Sequence, residues 1–287
     1  MTTLVIGSAG QLGRDLTPRL PGTVTPLTRA DLDLAQPAAI RPALERHRPD
    51  IVVNCAAYNL VDKAESEPEV ALAVNALGVR ALAEACRDLG CVLVHFSTDY
   101  VFGLDASRRT PFAETDAPGP VSVYGLSKLA GEYFVQALCP RHFVIRTCGL
   151  YGVWGSGGKG GNFVETMLRV AGQGKPLRVV GDQHCTPSYT VDVAAAAVAL
   201  MQTDRYGLYH IVNQGACTWH EFAQAIFELF SVTADLTAIG SGDWPAPARR
   251  PGYSVLGMKR FQALGLPAPR PWREALAAYL RERQQRQ

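Results

Sequence analysis

Tyr124 and Lys128 stand four positions apart in "VYGLSK". On a helix, residues four apart share a face, so a phenol and an ammonium would be aimed into one small volume. A phenol ionises near pH 10, at about that value in water, and a cation one turn away lowers it into usable proton-donor range. The chemistry on offer is protonation of an oxygen that is gaining negative charge, such as a ketone receiving hydride. The pair alone also suits an ordinary exposed contact. Three further stretches agree with the chemical reading. "FSTDYVFG" (96–103) ends an apolar run in hydroxyls and an acid, with Thr98 and Asp99 at its end. "VVNCAAYNLVDKAE" (52–65) ends another in small residues, Ala56 and Ala57 among them, where backbone passes close to a cofactor. "GSAGQLG" (7–13) sets Gly7, Gly10 and Gly13 in a G-x-x-G-x-x-G frame between the first apolar run and the first helix. Glycines there let backbone approach a pyrophosphate, and the helix start supplies amide donors for it.

The elements that would position these residues follow from the periodicity. "TLVIG", "TVTPLT", "DIVVN", "CVLVHFS" and "HFVIRT" are short apolar runs separated by helix-period segments. Near-continuously apolar strands alternating with amphipathic helices predict a doubly wound parallel α/β sheet, a Rossmann-type nucleotide-binding domain. Its ligands bind at the carboxyl ends of the strands, where all four stretches lie. After Thr147 the texture changes. "GVWGSGGKGGN" reads as a mobile loop, "DWPAPARRPG" as a proline-rich connection, and Pro271 to about Arg283 as a last helix. Residues 1–150 are therefore expected to form the dinucleotide-binding domain with the catalytic residues. Residues 151–287 are expected to form mainly a smaller mixed α/β substrate domain, with one helix and one strand returning to the first.

At the end of the second strand the segment is "VTPLTRADLDL", with Arg29 where an NAD-preferring fold carries an acid. An arginine suits the 2′-phosphate of NADP, so NADPH is the expected cofactor, with NADH use left open. Asp33 lies just beyond, toward the adenine side.

Composition narrows the class. The 287 residues are 47% hydrophobic and carry a formal net charge of +2, with scattered basic residues, which argues against a nucleic-acid surface. No apolar run approaches the ~20 residues that span a bilayer, and no signal peptide is visible. Seven cysteines without a C-x-x-C pair fit free thiols in a reducing cytoplasm better than disulfides or zinc. Cys148 and Cys185 read as pocket-wall packing. His95 reads as a packed strand histidine, His184 as a loop histidine, and Glu65, Glu67 and Glu69 as a solvated helix start. No metal site is expected. Asn75 is placed to bridge buried backbone groups, and Trp219 opens a helix-period stretch that reads as second-domain core.

Taken together, "GSAGQLG", "NCAAYNLVDKAESEPE", "STDYVFG", "VYGLSKLAGE" and "ARRPGYSVL" resemble, in order and over nearly the whole chain, the dTDP-4-dehydrorhamnose reductase family of extended short-chain dehydrogenases/reductases. The resemblance implies NAD(P)H-dependent reduction of the 4-keto group of dTDP-6-deoxy-L-lyxo-4-hexulose, the last step to dTDP-L-rhamnose. It implies Tyr124 as proton donor, Lys128 as its tuner and a holder of the nicotinamide ribose, and Thr98 as a hydrogen-bond partner of the 4-oxygen. It also implies that Gly10, Gln11, Leu12, Asp33, Leu34, Ala57, Tyr58 and Asn59 line the cofactor and that Asp99 sits at the sugar. A homodimer is the assembly considered, and some relatives use magnesium between subunits. One departure bears on the sugar. The best-known reductases carry a tryptophan after the arginine-threonine of the fifth strand, whereas "RTCGLYGVWG" has Gly149 there, and Trp154 is the expected substitute wall. Three alternatives remain at this point. One is a reductase or epimerase of another nucleotide sugar. Another is a dehydratase, disfavoured because Tyr100 stands where its glutamate would be. The third is a non-catalytic NADP-binding subunit like the methionine adenosyltransferase beta subunit.

Overall fold

The computed structural model describes residues 1–155 and 161–286. Of the glycine-rich stretch read as a mobile loop, residues 156–160 lie outside the described residues. Along the chain run strands β1 (Thr2–Ile6), β2 (Thr23–Leu27), β3 (Ile51–Asn54), β4 (Val92–Thr98) and β5 (His142–Thr147). They alternate with helices α1 (Gln11–Leu16), α2 (Pro37–His47), α3 (Val61–Ala64), α4 (Pro68–Leu72), α5 (Gly78–Leu89) and α6 (Val123–Leu138). Then come β6 (Leu150–Tyr151), α7 (Phe163–Ala171), β7 (Leu177–Val180), β8 (His184–Cys185), β9 (Ser188–Tyr189) and α8 (Thr190–Met201). The chain closes with β10 (Gly207–His210), β11 (Cys217–Thr218), α9 (Trp219–Phe230), β12 (Leu236–Ile239), α10 (Lys259–Gln262) and α11 (Trp272–Gln285).

Six strands form one parallel sheet in the order β10-β5-β4-β3-β1-β2, the doubly wound arrangement that the apolar runs predict. β3 and β4 are buried along their whole length, so both faces must be covered. Alternate residues divide between those faces. Val5, Val53, Val94 and Ile145 pack on one side with α1 and α8. Leu4, Val52, Leu93 and Val144 pack on the other with α2, α5 and α6. Strand order reverses between β1 and β3, and a crevice opens there at the carboxyl ends. α8, β10 and Phe261 of α10 pack with this first body although they follow residue 151.

The smaller body holds three two-stranded pairings, β12 with β7, β11 with β8, and β6 with β9. Its core is aromatic: Tyr151, Tyr189, Phe222 and Tyr279 meet within 6 Å of one another's ring centres or are linked through Tyr151. α9 starts with a reciprocal cap in which Thr218 and Glu221 satisfy each other's backbone amides. Among the described residues no helix is long and apolar enough to cross a membrane, and no three metal-ligating side chains are grouped for an ion. All seven cysteines are free. Of the three glutamates at the helix start, Glu65 accepts the Val123 amide at 2.9 Å and Glu67 pairs with Lys63 at 2.9 Å.

Candidate active site

The glycine turn is a tight backbone crossing. Gly7 has φ +76°, and a Cβ on it would lie 2.7 Å from the Ala56 amide nitrogen. A Cβ on Gly13 would lie 2.5 Å from the Gly7 carbonyl oxygen. Both positions exclude any side chain, which brings β1, β3 and α1 together where a pyrophosphate needs bare backbone. Among the described residues no side chain caps the first amides of α1 at Gly10. The carbonyl of Leu27 at the end of β2 accepts from Gly7 and Ser8, so Arg29 begins two residues from this turn. Its guanidinium is exposed and bonds Asp33 at 3.2 Å, and Asp33 also accepts the Ala35 amide. Leu12 and Leu34 are buried in the two cores, so only their backbone is open to a ligand. Tyr58 has its amide and carbonyl held by Asn75 and its hydroxyl on Glu67 at 2.9 Å. Asn75 therefore does bridge buried backbone, from a π-helical turn that precedes α5.

At the strand ends a cavity of about 280 Å³ is lined by Gln11, Asn59, Thr98, Tyr124, Gly149 and Trp219, among others. Three more of its polar atoms are buried with no hydrogen-bond partner among the described residues: Gln11 Oε1, Ser97 Oγ and Thr147 Oγ1. Unpaired buried polar atoms are costly, so three around one cavity mark a place that a polar ligand completes. Together with the bare glycine turn they fit a dinucleotide. Ser97 and Thr147 were not singled out from the sequence. The signal available was their position at the last turns of β4 and β5, where hydroxyls interrupt apolar strands.

α6 carries Tyr124 and Lys128 into this place. Ser122 caps it by accepting the Gly125 amide at 3.2 Å. Gly125 lies so close to the Tyr100 carbonyl that a Cβ would stand 2.2 Å from it, which presses the helix start against the end of β4. Thr98 and Tyr124 meet there, and the Tyr100 and Tyr124 rings pack edge to face with centres 5.8 Å apart. Burial pushes the Tyr124 phenol up to about 12; the hydrogen bond with Thr98 pulls it down and the Asp99 charge pushes it up. Lys128 is fully buried, its Nζ donating to the Phe96 carbonyl at 2.7 Å and lying 3.4 Å from His95 Nε2. Burial lowers its pKa to about 8, against the pull of Glu132 and Cys55. The ammonium is turned to the Phe96 carbonyl and His95, and the phenol answers to burial, Thr98 and Asp99.

Asp99 lines the cavity, but both its oxygens are engaged. Oδ1 accepts from Thr98 at 3.1 Å, and Oδ2 accepts from Ser254 at 2.6 Å and from the Cys148 thiol at 3.1 Å. Burial raises its pKa. Cys148 and Cys185 are buried beside it, but neither lines the cavity, so the expectation of pocket-wall packing becomes packing behind the wall. The expectation for Trp154 is overturned. Its indole N–H donates to buried Asp15 at 3.0 Å, and the guanidinium groups of Arg14 and Arg286 lie 4.9 and 4.0 Å from its ring centre. It lines neither this cavity nor the next. The wall at Gly149 is Trp219: a Cβ at Gly149 would stand 3.2 Å from Trp219 Cη2 and 3.3 Å from Pro187 Cα. Trp219 opens α9 between the two cores and also borders an adjoining cavity of about 730 Å³ with Lys63, Arg178, Trp244 and Arg250.

The sequence matches the family model described as the RmlD substrate binding domain over residues 1–285. The chain belongs to this reductase family. It is 44% identical over 283 residues to dTDP-4-dehydrorhamnose reductase of Streptomyces griseus, covering 95% of this chain and 91% of the relative. It is 42% identical over 282 residues to a probable dTDP-4,6-dihydroxy-2-methyloxan-3-one 4-ketoreductase of Streptomyces antibioticus, covering 96% and 93%. Among solved structures, dTDP-4-dehydrorhamnose reductase of Bacillus anthracis in complex with NADP superposes with a TM-score of 0.92 at 35% identity, over 98% of this chain and 99% of that one. In a member of this family, the glycine turn, the three unpaired polar atoms and the Thr98–Tyr124 pair occupy one crevice.

Proposed function

We propose that this protein is the NADPH-dependent reductase that converts dTDP-6-deoxy-L-lyxo-4-hexulose to dTDP-L-rhamnose. The observation that carries the reading is Thr98 beside Tyr124 over the cavity, with Lys128 buried one helical turn behind. The bound cofactor supplies hydride to the keto carbon. Tyr124 protonates the oxygen as charge develops on it, and its raised pKa keeps the proton on the phenol until that moment. Thr98 shares the oxygen and orients it. Lys128 holds a positive charge behind the phenol that stabilises the phenolate left after transfer. Ser97, Thr147 and Gln11 offer hydrogen bonds to the cofactor or sugar hydroxyls. Asp99, tied to Ser254 and Cys148, braces Thr98 from the sugar side. Arg29, next to the glycine turn, favours the 2′-phosphate of NADPH. The seven free thiols suit work in the cytoplasm.

Gly149 and Trp219 support a second reading, reduction of a different dTDP-4-keto-6-deoxy sugar, because they reshape the wall on which sugar specificity rests. A product assay decides. The enzyme is given NADPH and dTDP-6-deoxy-L-lyxo-4-hexulose, or its dTDP-4-keto-6-deoxy-D-glucose precursor, and the sugar formed is identified. dTDP-L-rhamnose from the first substrate is expected. Turnover of the second alone would establish the other reading.

A further inference from the structure

Asp99 braces Thr98, and its own two oxygens are held unequally. The hold on Oδ2 comes from a strap, residues 248–257, that runs between the two bodies. Its Ser254 amide donates to the His184 carbonyl of β8 at 2.9 Å, and its Val255 carbonyl accepts the Phe112 amide of the first core at 2.8 Å. The strap is thus pinned by backbone at Ser254 and Val255, and the Ser254 hydroxyl is free for other work. That hydroxyl is buried and lines neither cavity. It has one proton and two acceptors in reach, Asp99 Oδ2 at 2.6 Å and the His184 carbonyl at 3.5 Å. The carboxylate is both nearer and charged, so the proton goes there. The Cys148 thiol donates to the same oxygen at 3.1 Å, and burial keeps that thiol protonated. Oδ1 faces Thr98 at the longer distance of 3.1 Å.

Thr98 likewise has a single proton, and its oxygen already accepts the Tyr100 amide at 3.1 Å. In the free enzyme that proton rests on Asp99 Oδ1, and it must turn to the 4-oxygen when the ketone arrives. The tighter Oδ1 holds it, the less the ketone receives. Donors on Oδ2 draw the carboxylate charge toward themselves and leave Oδ1 the weaker acceptor. They also stop the carboxylate from swinging toward Thr98. We propose that Ser254 is a positioning residue of this reductase, which pins the Asp99 carboxylate through Oδ2 so that the Thr98 proton stays free for the 4-oxygen. The proposal rests on the reading of Thr98 and Tyr124 as the groups on that oxygen. The other groups facing the carboxyl are the phenols of Tyr100 and Tyr124, with the Arg250 guanidinium beyond Tyr100. The strap thereby gains a part in the chemistry: a hydroxyl placed where it passes from β8 to the first core sets the threonine at the end of β4.

The test compares the full-length enzyme with Ser254→Ala by two readouts. In the first, carboxyl-labelled aspartate is followed by NMR across pH, the Asp99 signal being assigned by its loss in Asp99→Asn. The missing donor had favoured the charged form, so Asp99 in the variant should hold its proton about tenfold more tightly. In the second, NADPH oxidation with the keto-sugar is measured. The kcat should fall about tenfold and the KM values change less, because the Thr98 bond matters most as charge develops on the oxygen. A residue that only props the fold would lower the rate whether or not Thr98 has a hydroxyl. In a Thr98→Val background, Ser254→Ala should therefore cost no further kcat. An Asp99 midpoint unmoved or lowered, an unchanged kcat, or losses that multiply in the double variant would each overturn the proposal. Should Ser254→Ala not fold, Ser254→Cys, a weaker donor of similar shape, should shift both readouts in the same directions. A wild type that reduces no keto-sugar would sink the functional reading, whereas the carboxyl titration still decides whether Ser254 holds Asp99.

Discussion

Gly149→Ala tests whether Trp219 is the sugar-side wall, and the structure sets the size of the effect. Gly149 has φ +52°, a left-handed conformation that costs an L-residue about 1–2 kcal/mol. The new methyl would stand 3.2 Å from Trp219 Cη2 and 3.3 Å from Pro187 Cα, so one neighbour must yield by a few tenths of an ångström. Pro187 is backbone and cannot move alone; the indole can tilt. Its tilt strains the contacts with Phe163, 4.8 Å away between ring centres, and with Phe222 at 6.3 Å. Aromatic pairs of this kind are worth about 0.5–1.5 kcal/mol each, so the substitution should lower stability by about 2 kcal/mol in all. The tilt also moves the wall of the sugar cavity. The expected kinetic signature is a KM for the keto-sugar raised severalfold with kcat changed less, the mark of binding lost equally in ground and transition states. The decisive assay is a double-mutant cycle with Trp219→Phe, whose smaller ring removes the contact with the methyl. Thermal unfolding and NADPH oxidation, followed together, should show a coupling of at least about 0.5 kcal/mol between the two positions. Additive effects on both stability and KM would refute the assignment of Trp219 as the wall.

Further outcomes follow from other contacts. Tyr124→Phe keeps the ring packed against Tyr100 but removes the proton, so folding and cofactor affinity should persist while kcat falls roughly 10²–10⁴-fold; near wild-type turnover in this variant would remove Tyr124 from the mechanism. Arg29→Ala should weaken NADPH binding while sparing NADH, measured as separate dissociation constants, and equal losses would show that Arg29 does not read the 2′-phosphate. Trp154→Ala should leave the sugar KM unchanged and lower the melting temperature, because it strips a hydrogen bond from buried Asp15, and a raised KM would return Trp154 to the pocket. His210 is buried with its pKa lowered from 6.5 to about 3, so the unfolded chain binds a proton there that the folded one refuses. Its contribution is complete above pH 6.5 and is lost as pH falls toward 3, at up to about 1.4 kcal/mol per pH unit; denaturation series should show a shallower slope between those limits in His210→Gln, and an unchanged slope would mean the histidine charges in the fold.

The parts of the site that were legible in the sequence are those built by local geometry. The glycine frame announces itself because Gly7 and Gly13 face backbone within the same strand–turn–helix unit or the strand beside it. Tyr124 and Lys128 share a helix face by spacing alone. The sheet follows from apolar runs that alternate with helices, since strands buried on both faces leave no polar side to disguise them. Even the division of Val5, Val53 and Val94 from Leu4, Val52 and Leu93 is a period-two pattern within each strand.

What escaped the sequence depends on which partner reaches a side chain first. Trp154 is five residues from Gly149, and proximity along the chain made it the natural wall; Asp15, far away in sequence, captures its indole instead. Trp219 opens an amphipathic helix, so its pattern is that of a core residue, and only the packing of α9 between the two bodies turns part of the ring to the cavity. Lys128 shows the same limit. Spacing puts it on the face of Tyr124, but its long side chain extends to the Phe96 carbonyl and His95, because a buried ammonium needs acceptors more than it needs a nearby phenol. Chemistry that rests on backbone spacing can thus be read from residue order, whereas the direction of a buried polar tip is settled by the nearest unfilled hydrogen bond, which residue order does not reveal.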